Sequence, residues 1–357
     1  MGGRKRRKAT APLQIITADK LPLFRGYSFA WFSEAATLLL SCRTLDDLQT
    51  EDVGKVPSLL LQSLKAKLEG AKAELSKKPL PAVGHDPKNM TLEYAQQVLE
   101  KIVSGERVKS LSPPSALSLD FAEYTRVNMG RGRLKREAFR IGEDVLALSI
   151  IGAYLTRAYS IREKDRREFG YVFVNIGSPM LPVEVLDRMQ AKVRAVTRRL
   201  AEGGGGVFPI VVGASAAIAL TLREQLREVV KSPLIVEYLR LSQTGTGKKV
   251  KKVMAKGFDT FDVTGLAKLM RGCGMAGSAY LLLRSFPSEG FNNYRSFAQK
   301  LAEGVAKFHI YRKPVYLYEP LRALTSREVS DEAVELLGPR WIEISERLRA
   351  GLRKLAV

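Results

Sequence analysis

The sequence predicts a mixed α/β (α+β) fold with a predominantly helical C-terminal region. The stretch "FGYVFVNIG" (169–177) is β-branched and aromatic and ends in glycine, which is typical of a strand. From Phe258 onward, apolar residues recur at helical spacing, and the chain closes on the amphipathic segment "RWIEISERLRAGLRKLAV". With 357 residues and an apolar fraction of 45%, the chain can form a packed core.

The N-terminal part predicts one short strand followed by helices. "LQIITA" (13–18) is the strand candidate, and the aromatic-rich "RGYSFAWFSEAATLLLSCRTLDDL" (25–48) predicts an amphipathic helix. A lysine-bearing surface helix is expected over 57–78. A further helix is expected to begin after a Thr91 cap and to stop at Gly105.

The middle of the chain predicts a βαβ unit. A helix is expected over 137–159, and the strand at 169–177 is followed by a helix that ends on the glycine run 203–206. "VFPIVV" (207–212) then predicts a buried strand, and "GASAAIALTLREQL" (213–226) predicts a turn and a helix.

The chain is expected to be cytoplasmic and to lack a membrane span. The uncharged stretch 203–222 is nearly long enough to cross a bilayer, but its glycines and Pro209 would break a spanning helix. The basic N-terminal stretch 1–20 has no sustained apolar region and does not fit a secretory signal. Cys42 and Cys273 are far apart, which favours a reducing compartment over a disulfide framework.

A large excess of positive charge indicates the kind of partner. Lys and Arg number 58 against 37 Asp and Glu, which gives a formal net charge of +21. This excess predicts a polyanionic partner, with nucleic acid first and anionic lipid second. The expected organisation is a basic flexible tail (1–9), an α/β nucleic-acid-binding region (10–242), a lysine-rich loop (243–257) and a helical C-terminal region (258–357).

Two basic segments are the candidate binding sites. The segment 124–136 contains no acidic residue, and its two glycines allow the backbone to approach a phosphate closely. The lysine-rich stretch near 248–256 predicts an exposed basic loop or hairpin tip. The candidate nucleic-acid-binding residues are Arg126, Arg131, Arg133, Lys135, Arg136, Lys248, Lys249, Lys251, Lys252 and Lys256. The alternative is a solvated charged loop, which is the usual fate of a charge run.

Two glycine motifs suggest nucleotide binding, but their contexts argue against it. "GTGK" (245–248) would need a glycine where Ser242 stands and a hydroxyl residue where Lys249 stands. "GCGMAG" (272–277) matches G-x-G-x-x-G, yet it follows a helical pattern instead of a strand. A turn or tight helix packing is therefore predicted there, and no cofactor is predicted.

The histidine content argues against a metal site. The dipeptide His85-Asp86 is reminiscent of metal-dependent phosphohydrolases, but the chain has only one other histidine, His309. Because such sites use several imidazoles, neither a metal nor a catalytic residue is predicted. Carboxylate-only nuclease chemistry stays open as an alternative.

Two aromatic clusters are candidates for base stacking, although core packing is the common role of such residues. Phe29 and Phe32 lie three residues apart on one helical face, as core residues do. The clusters are Tyr27, Phe29, Trp31 and Phe32, and Tyr311, Tyr316 and Tyr318.

The chain resembles a known family through three stretches: "RGYSFAWFSEAATLLL", "GRGRLKREAFRIGEDVLALSIIGAYLTRAY" and "FGYVFVNIG". These look like the large subunit of the archaeal type I-A CRISPR interference (Cascade) complex. The resemblance rests on element order, size and basicity over about the middle half of the chain. It implies an α/β part with a helical C-terminal part, and a non-catalytic subunit that helps to recognise the protospacer-adjacent motif and to hold the displaced strand.

The expected function is therefore non-catalytic nucleic-acid binding within an RNA-guided antiviral surveillance complex. Its partners would be guide RNA, target DNA and other protein subunits, while nuclease and helicase activities would belong to the partner subunits. Two alternatives remain: an archaeal nucleic-acid-processing enzyme with a carboxylate metal site, and a structural ribonucleoprotein component.

Overall fold

The computed structural model describes residues 14–24, 26–41, 56–69, 79–81, 90–119, 139–176, 181–222, 233–245 and 252–357. Within these residues the chain forms twelve α-helices and two sheets, which confirms the predicted mixed α/β class. The chain divides into two compact units. Unit 1 comprises Met1–Thr37 and Leu45–Tyr154, and unit 2 comprises Leu38–Thr44 and Leu155–Val357.

Unit 1 contains a small three-stranded sheet. Its strands are β1 (Gln14–Ile16), β2 (Ser110–Leu111) and β3 (Phe139–Gly142), in the order β1-β3-β2. The central strand β3 pairs parallel with β1 and antiparallel with β2. The strand predicted at 13–18 is confirmed by β1.

Four helices lie between β1 and β4 along the chain, and three of them lie where the sequence predicted a helix. They are α1 (Ser28–Ser41), α2 (Val56–Glu69), α3 (Leu92–Val103) and α4 (Glu143–Thr156). The Thr91 cap is confirmed, because its hydroxyl accepts a hydrogen bond from the Tyr94 amide at 3.1 Å. Gly105 lies just past the end of α3 with φ of +78°, as expected for a glycine stop.

The helix predicted over 137–159 is wrong at both ends. Phe139–Gly142 forms β3, because Ile141 is paired with Ile16 on one side and with Leu111 on the other. Pairing on two edges outweighs the local helical pattern. The helix α4 begins at Glu143, and the residues from Arg157 onward form a strand.

Helices α1 and α4 cross closely inside unit 1. A Cβ atom at Gly152 would overlap the carbonyl oxygen of Phe32, so only glycine permits this approach. Next to it, the Ser149 hydroxyl donates to the carbonyl of Phe29 at 3.1 Å and lies 3.2 Å from the Ser33 hydroxyl. These small side chains fix the crossing.

Unit 2 contains a four-stranded antiparallel sheet. Its strands are β4 (Arg157–Glu163), β5 (Arg166–Ile176), β6 (Leu234–Thr244) and β7 (Lys252–Asp262), in the order β4-β5-β6-β7. The predicted strand at 169–177 is confirmed by β5. The predicted βαβ unit is wrong, because β5 pairs antiparallel with its next strand, β6.

Two helices join β5 to β6: α5 (Val183–Glu202) and α6 (Val207–Thr221). The strand and turn predicted within 207–226 are wrong, because "VFPIVV" is the first half of α6. Pro209 is tolerated there because it lies in the first turn, where the amide has no intrahelical acceptor. No helix among the described residues is long and apolar enough to cross a membrane.

The C-terminal region is predominantly helical, as predicted, although the first residues of the predicted region, 258–262, belong to β7. The helices are α7 (Thr264–Gly272), α8 (Ala276–Arg284), α9 (Asn292–Tyr311), α10 (Val315–Ala323), α11 (Arg327–Leu337) and α12 (Arg340–Ala356). The motif "GCGMAG" is the turn between α7 and α8, where Gly274 has φ of +77°. The prediction of a turn at this motif is confirmed.

Candidate nucleic-acid interface

The structure places two of the ten cations that the sequence singled out. Lys252 is the first residue of β7, and Lys256 lies further along the same strand. Both side chains are exposed. The other candidates lie outside the described residues: Arg126, Arg131, Arg133, Lys135, Arg136, Lys248, Lys249 and Lys251.

The first basic segment is followed directly by a well-supported part of unit 1. Arg140 in β3 donates to the carbonyl of Ser110 at 2.6 Å. At the start of α4, Glu143 accepts hydrogen bonds from the Tyr94 hydroxyl at 3.0 Å and from the Lys109 amide at 3.1 Å. Asp144 accepts one from the Ala18 amide at 2.8 Å. The chain is thus anchored immediately after the cations of 124–136.

The lysine-rich stretch belongs to a hairpin. Strands β6 and β7 each contain 11 residues and are paired up to Thr244 and Lys252. The residues that connect them, 246–251, lie outside the described residues. The two strands therefore place Thr244 and Lys252, which flank this connection, at one end of the sheet.

A second basic hairpin lies beside the first. Strands β4 and β5 are joined by Lys164 and Asp165, and the amide of Gly245 donates to the carbonyl of Asp165 at 2.9 Å. The pairing also aligns Glu163 with Arg166, Arg166 with Thr244 and Thr244 with Lys252. The turn between β4 and β5 and the adjoining ends of β6 and β7 therefore lie at the same end of the sheet.

The described residues 160–168, 244–245 and 252–256 together form what we call the basic sheet end. They contain six Lys and Arg residues against three Asp and Glu residues. Sequence reasoning missed the cations of the β4–β5 hairpin, because Glu163, Asp165 and Glu168 alternate with them and make the segment appear balanced. The missed cations are Arg162, Lys164, Arg166 and Arg167.

Several of these cations are free to meet an anion. Arg162, Lys164, Arg166 and Lys252 are exposed and form no ion pair within the described part of the chain. Arg167 is more constrained, because it donates to the Ser160 hydroxyl at 2.7 Å and its guanidinium lies 5.3 Å from the centre of the Phe169 ring. Exposed unpaired cations are suited to phosphate contacts.

A network of side chains crosses all four strands beneath this end. The Tyr159 ring of β4 lies over Gly170, where a Cβ atom would overlap it. Its hydroxyl donates to Glu168 of β5 at 2.8 Å and lies 2.6 Å from the Tyr238 hydroxyl of β6. Since Tyr159 has one proton and the carboxylate is the stronger acceptor, Tyr238 donates to Tyr159. Lys256 of β7 pairs with the same carboxylate.

Burial sets the protonation state of the two tyrosines. Burial raises the pKa of Tyr238 to about 12, against smaller opposing effects of Tyr159 and Arg240. Burial, together with Tyr238 and Glu168, raises the pKa of Tyr159 still further. Both hydroxyls therefore stay protonated near neutral pH and act as hydrogen-bond donors.

Arg240 extends this network along β6 and β7. Its guanidinium lies over Gly257, 5.6 Å from the centre of the Tyr238 ring and 3.4 Å from the Asp259 carboxylate. A cleft of about 180 Å³ separates the network from the first turn of α6. This volume is below the usual range for small-molecule sites, roughly 300–1,000 Å³. The network instead supports the basic sheet end by joining its strands.

The two aromatic clusters have opposite environments. Phe29 and Phe32 are fully buried and Trp31 is 5% exposed, so these three residues are core and are not available to stack a base. In the second cluster, Tyr311 is 57% and Tyr318 is 61% exposed. Tyr27 is half-buried, so Tyr311 and Tyr318 are the most exposed rings of the two clusters.

Of the two histidines, the structure describes one. His85 lies outside the described residues. His309 packs against Gly265, and burial followed by the charge of Arg312 lowers its pKa. Among the residues that the structure describes, no group of three or more His, Cys, Asp or Glu side chains could hold a metal ion.

No protein-family model, no curated protein and no solved structure matches this chain.

Proposed function

We propose that this chain binds nucleic acid through phosphate contacts at the basic sheet end. The observation that carries the proposal is the side-by-side position of two basic hairpins, β4–β5 and β6–β7, which are far apart in the sequence. A solvated charge run needs no such arrangement. Strand pairing instead brings these cations to one end of the sheet.

The size of the surface suits a phosphate backbone. Four strands at a spacing of about 4.8 Å make the basic sheet end roughly 14 Å wide. A nucleic-acid strand has one phosphate per about 3.4 Å of helix axis, so the basic sheet end faces about four phosphates of one strand. Most such contacts fix position and carry no sequence information, so base pairing would supply the specificity.

The support beneath the surface favours a fixed geometry. The network of Tyr159, Glu168, Tyr238 and Lys256 links β4 to β5 and to β6, and links β5 to β7. Cations on such a support lose less conformational freedom on binding than cations on a mobile tail. The cations of 124–136 and Lys248, Lys249 and Lys251 enter the proposal from the sequence alone.

We further propose that the chain acts within an RNA-guided surveillance complex as a non-catalytic subunit. The proposal rests on the resemblance of three stretches to the large subunit of type I-A interference complexes. The mixed α/β fold and the helical C-terminal region agree with what that resemblance implies. In this role the basic sheet end would contact target DNA, at the protospacer-adjacent motif or along the displaced strand.

Charge reversal tests the binding surface. The triple variant Arg162→Glu, Arg166→Glu and Lys252→Glu should bind a 20-base-pair duplex at least about tenfold more weakly than wild type at 100 mM salt. The matched control reverses three other exposed cations that form no ion pair within the described residues, Lys268, Arg340 and Arg353. If the control loses as much affinity as the triple variant, net charge explains binding and the proposed surface is wrong.

Copurification tests the role in a complex. A tagged chain expressed in its native cell should bring down a short repeat-derived RNA together with other subunits. Recovery of bulk structural RNA would instead support a structural ribonucleoprotein. Metal-dependent cleavage of labelled DNA or RNA by the purified chain would support the enzyme alternative. Either result would contradict the proposed role while leaving the binding surface intact.

A further inference from the structure

An exposed aromatic surface lies at the corner between α9 and α10. Tyr311 is 57% exposed, Tyr318 61%, Ile310 60% and Val315 58%. We call these four residues, with Arg312 and Lys313, the aromatic corner. The structure shows no hydrogen bond from either tyrosine hydroxyl to another described residue. These four exposed side chains fall within nine residues of the chain, and exposed large apolar side chains that lie close together commonly mark an interaction site.

The fold holds these rings outward. Helix α9 ends at Tyr311, Arg312 adopts a left-handed conformation with φ of 56°, and α10 follows after Pro314. Tyr311 is braced by the half-buried Tyr316, whose ring centre lies 5.6 Å away. In α10, Leu317 is buried, so the neighbouring Tyr318 faces solvent.

The close approach of the two helices makes the corner rigid. Gly304 in α9 faces α10, and a Cβ atom there would lie 2.5 Å from the Tyr316 carbonyl oxygen and 2.8 Å from the Pro320 side chain. Any larger residue would push α10 away. The rings therefore project from a packed helical pair, and little ordering is needed when they meet a ligand.

The charge around the corner is positive. Residues 307–322 contain four cations and one acid, Glu319. Glu319 is paired with Lys300 at 2.7 Å and Lys307 is paired with Glu303 at 3.2 Å, and both partners lie outside this stretch. Arg312 and Lys313 are exposed and form no ion pair within the described residues. Exposed rings next to unpaired cations fit a partner that combines flat aromatic groups with negative charge.

We propose that the aromatic corner binds single-stranded nucleic acid. Unpaired bases would stack on Tyr311 and Tyr318, and Arg312 and Lys313 would contact the adjoining phosphates. A duplex does not fit this surface, because its bases are stacked on one another and their faces are hidden. The inference rests on the proposed nucleic-acid-binding function and adds a preference for unpaired strands at a second surface.

Alanine substitution of the rings tests the inference. The double variant Tyr311→Ala and Tyr318→Ala should bind a 20-nucleotide single strand about 5- to 150-fold more weakly for each ring that stacks a base. Its affinity for a 20-base-pair duplex should stay within about twofold. Phenylalanine at both positions keeps the stacking face and should retain near wild-type binding. Ile342→Ala, another exposed apolar residue on α12, is the control and should change neither affinity.

The outcomes separate this inference from the proposed function. If the wild-type chain binds neither duplex nor single strand, the proposed function fails. If it binds both and the double alanine variant loses nothing, or loses equally on both, the aromatic corner is not a single-strand site and the basic sheet end is unaffected. Unchanged thermal unfolding of the variants shows that the loss is not caused by misfolding, since these side chains are largely exposed.

Discussion

Single residues connect the four strands under the basic sheet end. Lys256 and Tyr159 both bind the carboxylate of Glu168, and Tyr238 completes the series through its hydroxyl. Tyr159 is 4% and Tyr238 3% exposed. Because water has little access to these hydroxyls, a lost partner is not replaced by solvent.

Removing either hydroxyl should destabilise the chain, but not equally. Tyr159→Phe leaves the buried Tyr238 hydroxyl without an acceptor and takes one donor from Glu168, so it should lower the free energy of unfolding by about 1–3 kcal/mol. Tyr238→Phe removes one donor to Tyr159 and should cost about 1 kcal/mol. Urea denaturation of both variants checks this order, and the reverse order would contradict the assigned direction of the hydrogen bonds.

The raised pKa of Tyr238 predicts a loss of stability in alkali. An unfolded tyrosine ionises near pH 10, whereas Tyr238 in the folded chain ionises near 12. The stability from this difference is fully present below pH 10 and is lost as the pH rises through 12, since the unfolded chain releases the proton first. Tyr238→Phe should flatten this part of the curve of unfolding free energy against pH. An unchanged curve would contradict the role of Tyr238.

At the scale of elements, a side chain of α5 forms hydrogen bonds with the part of β5 that has no neighbouring strand on one side. Strand β4 begins opposite Tyr171, so the part of β5 beyond that point has no strand partner on that side. Gln190 of α5 takes the place of a strand: its side chain donates to the carbonyl of Val172 at 2.6 Å and accepts from the amide of Val174 at 3.1 Å.

Replacing this glutamine should be costly. Gln190→Leu leaves a buried carbonyl and a buried amide unpaired and should lower the free energy of unfolding by about 2–4 kcal/mol. Arg198→Leu on the exposed face of the same helix is the control and should cost less than about 0.5 kcal/mol. Equal stabilities of the two variants would show that Gln190 does not support the sheet.

Local sequence patterns predicted most helices and strands but not which strands pair with one another. The strand β5, the capped helix α3 and the C-terminal helices have strong local signals, and they lie where expected. The patterns failed where distant pairing decides, as at β3 between β1 and β2. They also failed in the first half of α6, where β-branched residues and Pro209 suggest a strand.

The candidate site shows the same limit. The lysine-rich stretch was visible because it is uniformly basic, whereas Arg162 and Arg166 alternate with acids and gave no signal. Their importance appears only once Gly245 is placed beside Asp165 and the two hairpins meet. The sequence also suggested two aromatic clusters for base stacking but did not show which one is accessible. The exposure of Tyr311 and Tyr318 favours the second cluster.

At the scale of the whole molecule, the net charge of +21 favours association with a polyanion and opposes compaction through self-repulsion. Net charge alone does not define a site, because evenly spread cations would give the same total. The central claim is that the cations of the basic sheet end make a disproportionate share of the phosphate contacts.

The salt dependence of duplex binding tests that claim most directly. Each phosphate contact adds about 0.9 to the slope of log affinity against log salt concentration. The wild-type chain should give a steep slope, and the triple variant Arg162→Glu, Arg166→Glu and Lys252→Glu should give one shallower by about 2–3. A flat response of the wild type, or the same slope for both proteins, would contradict the claim.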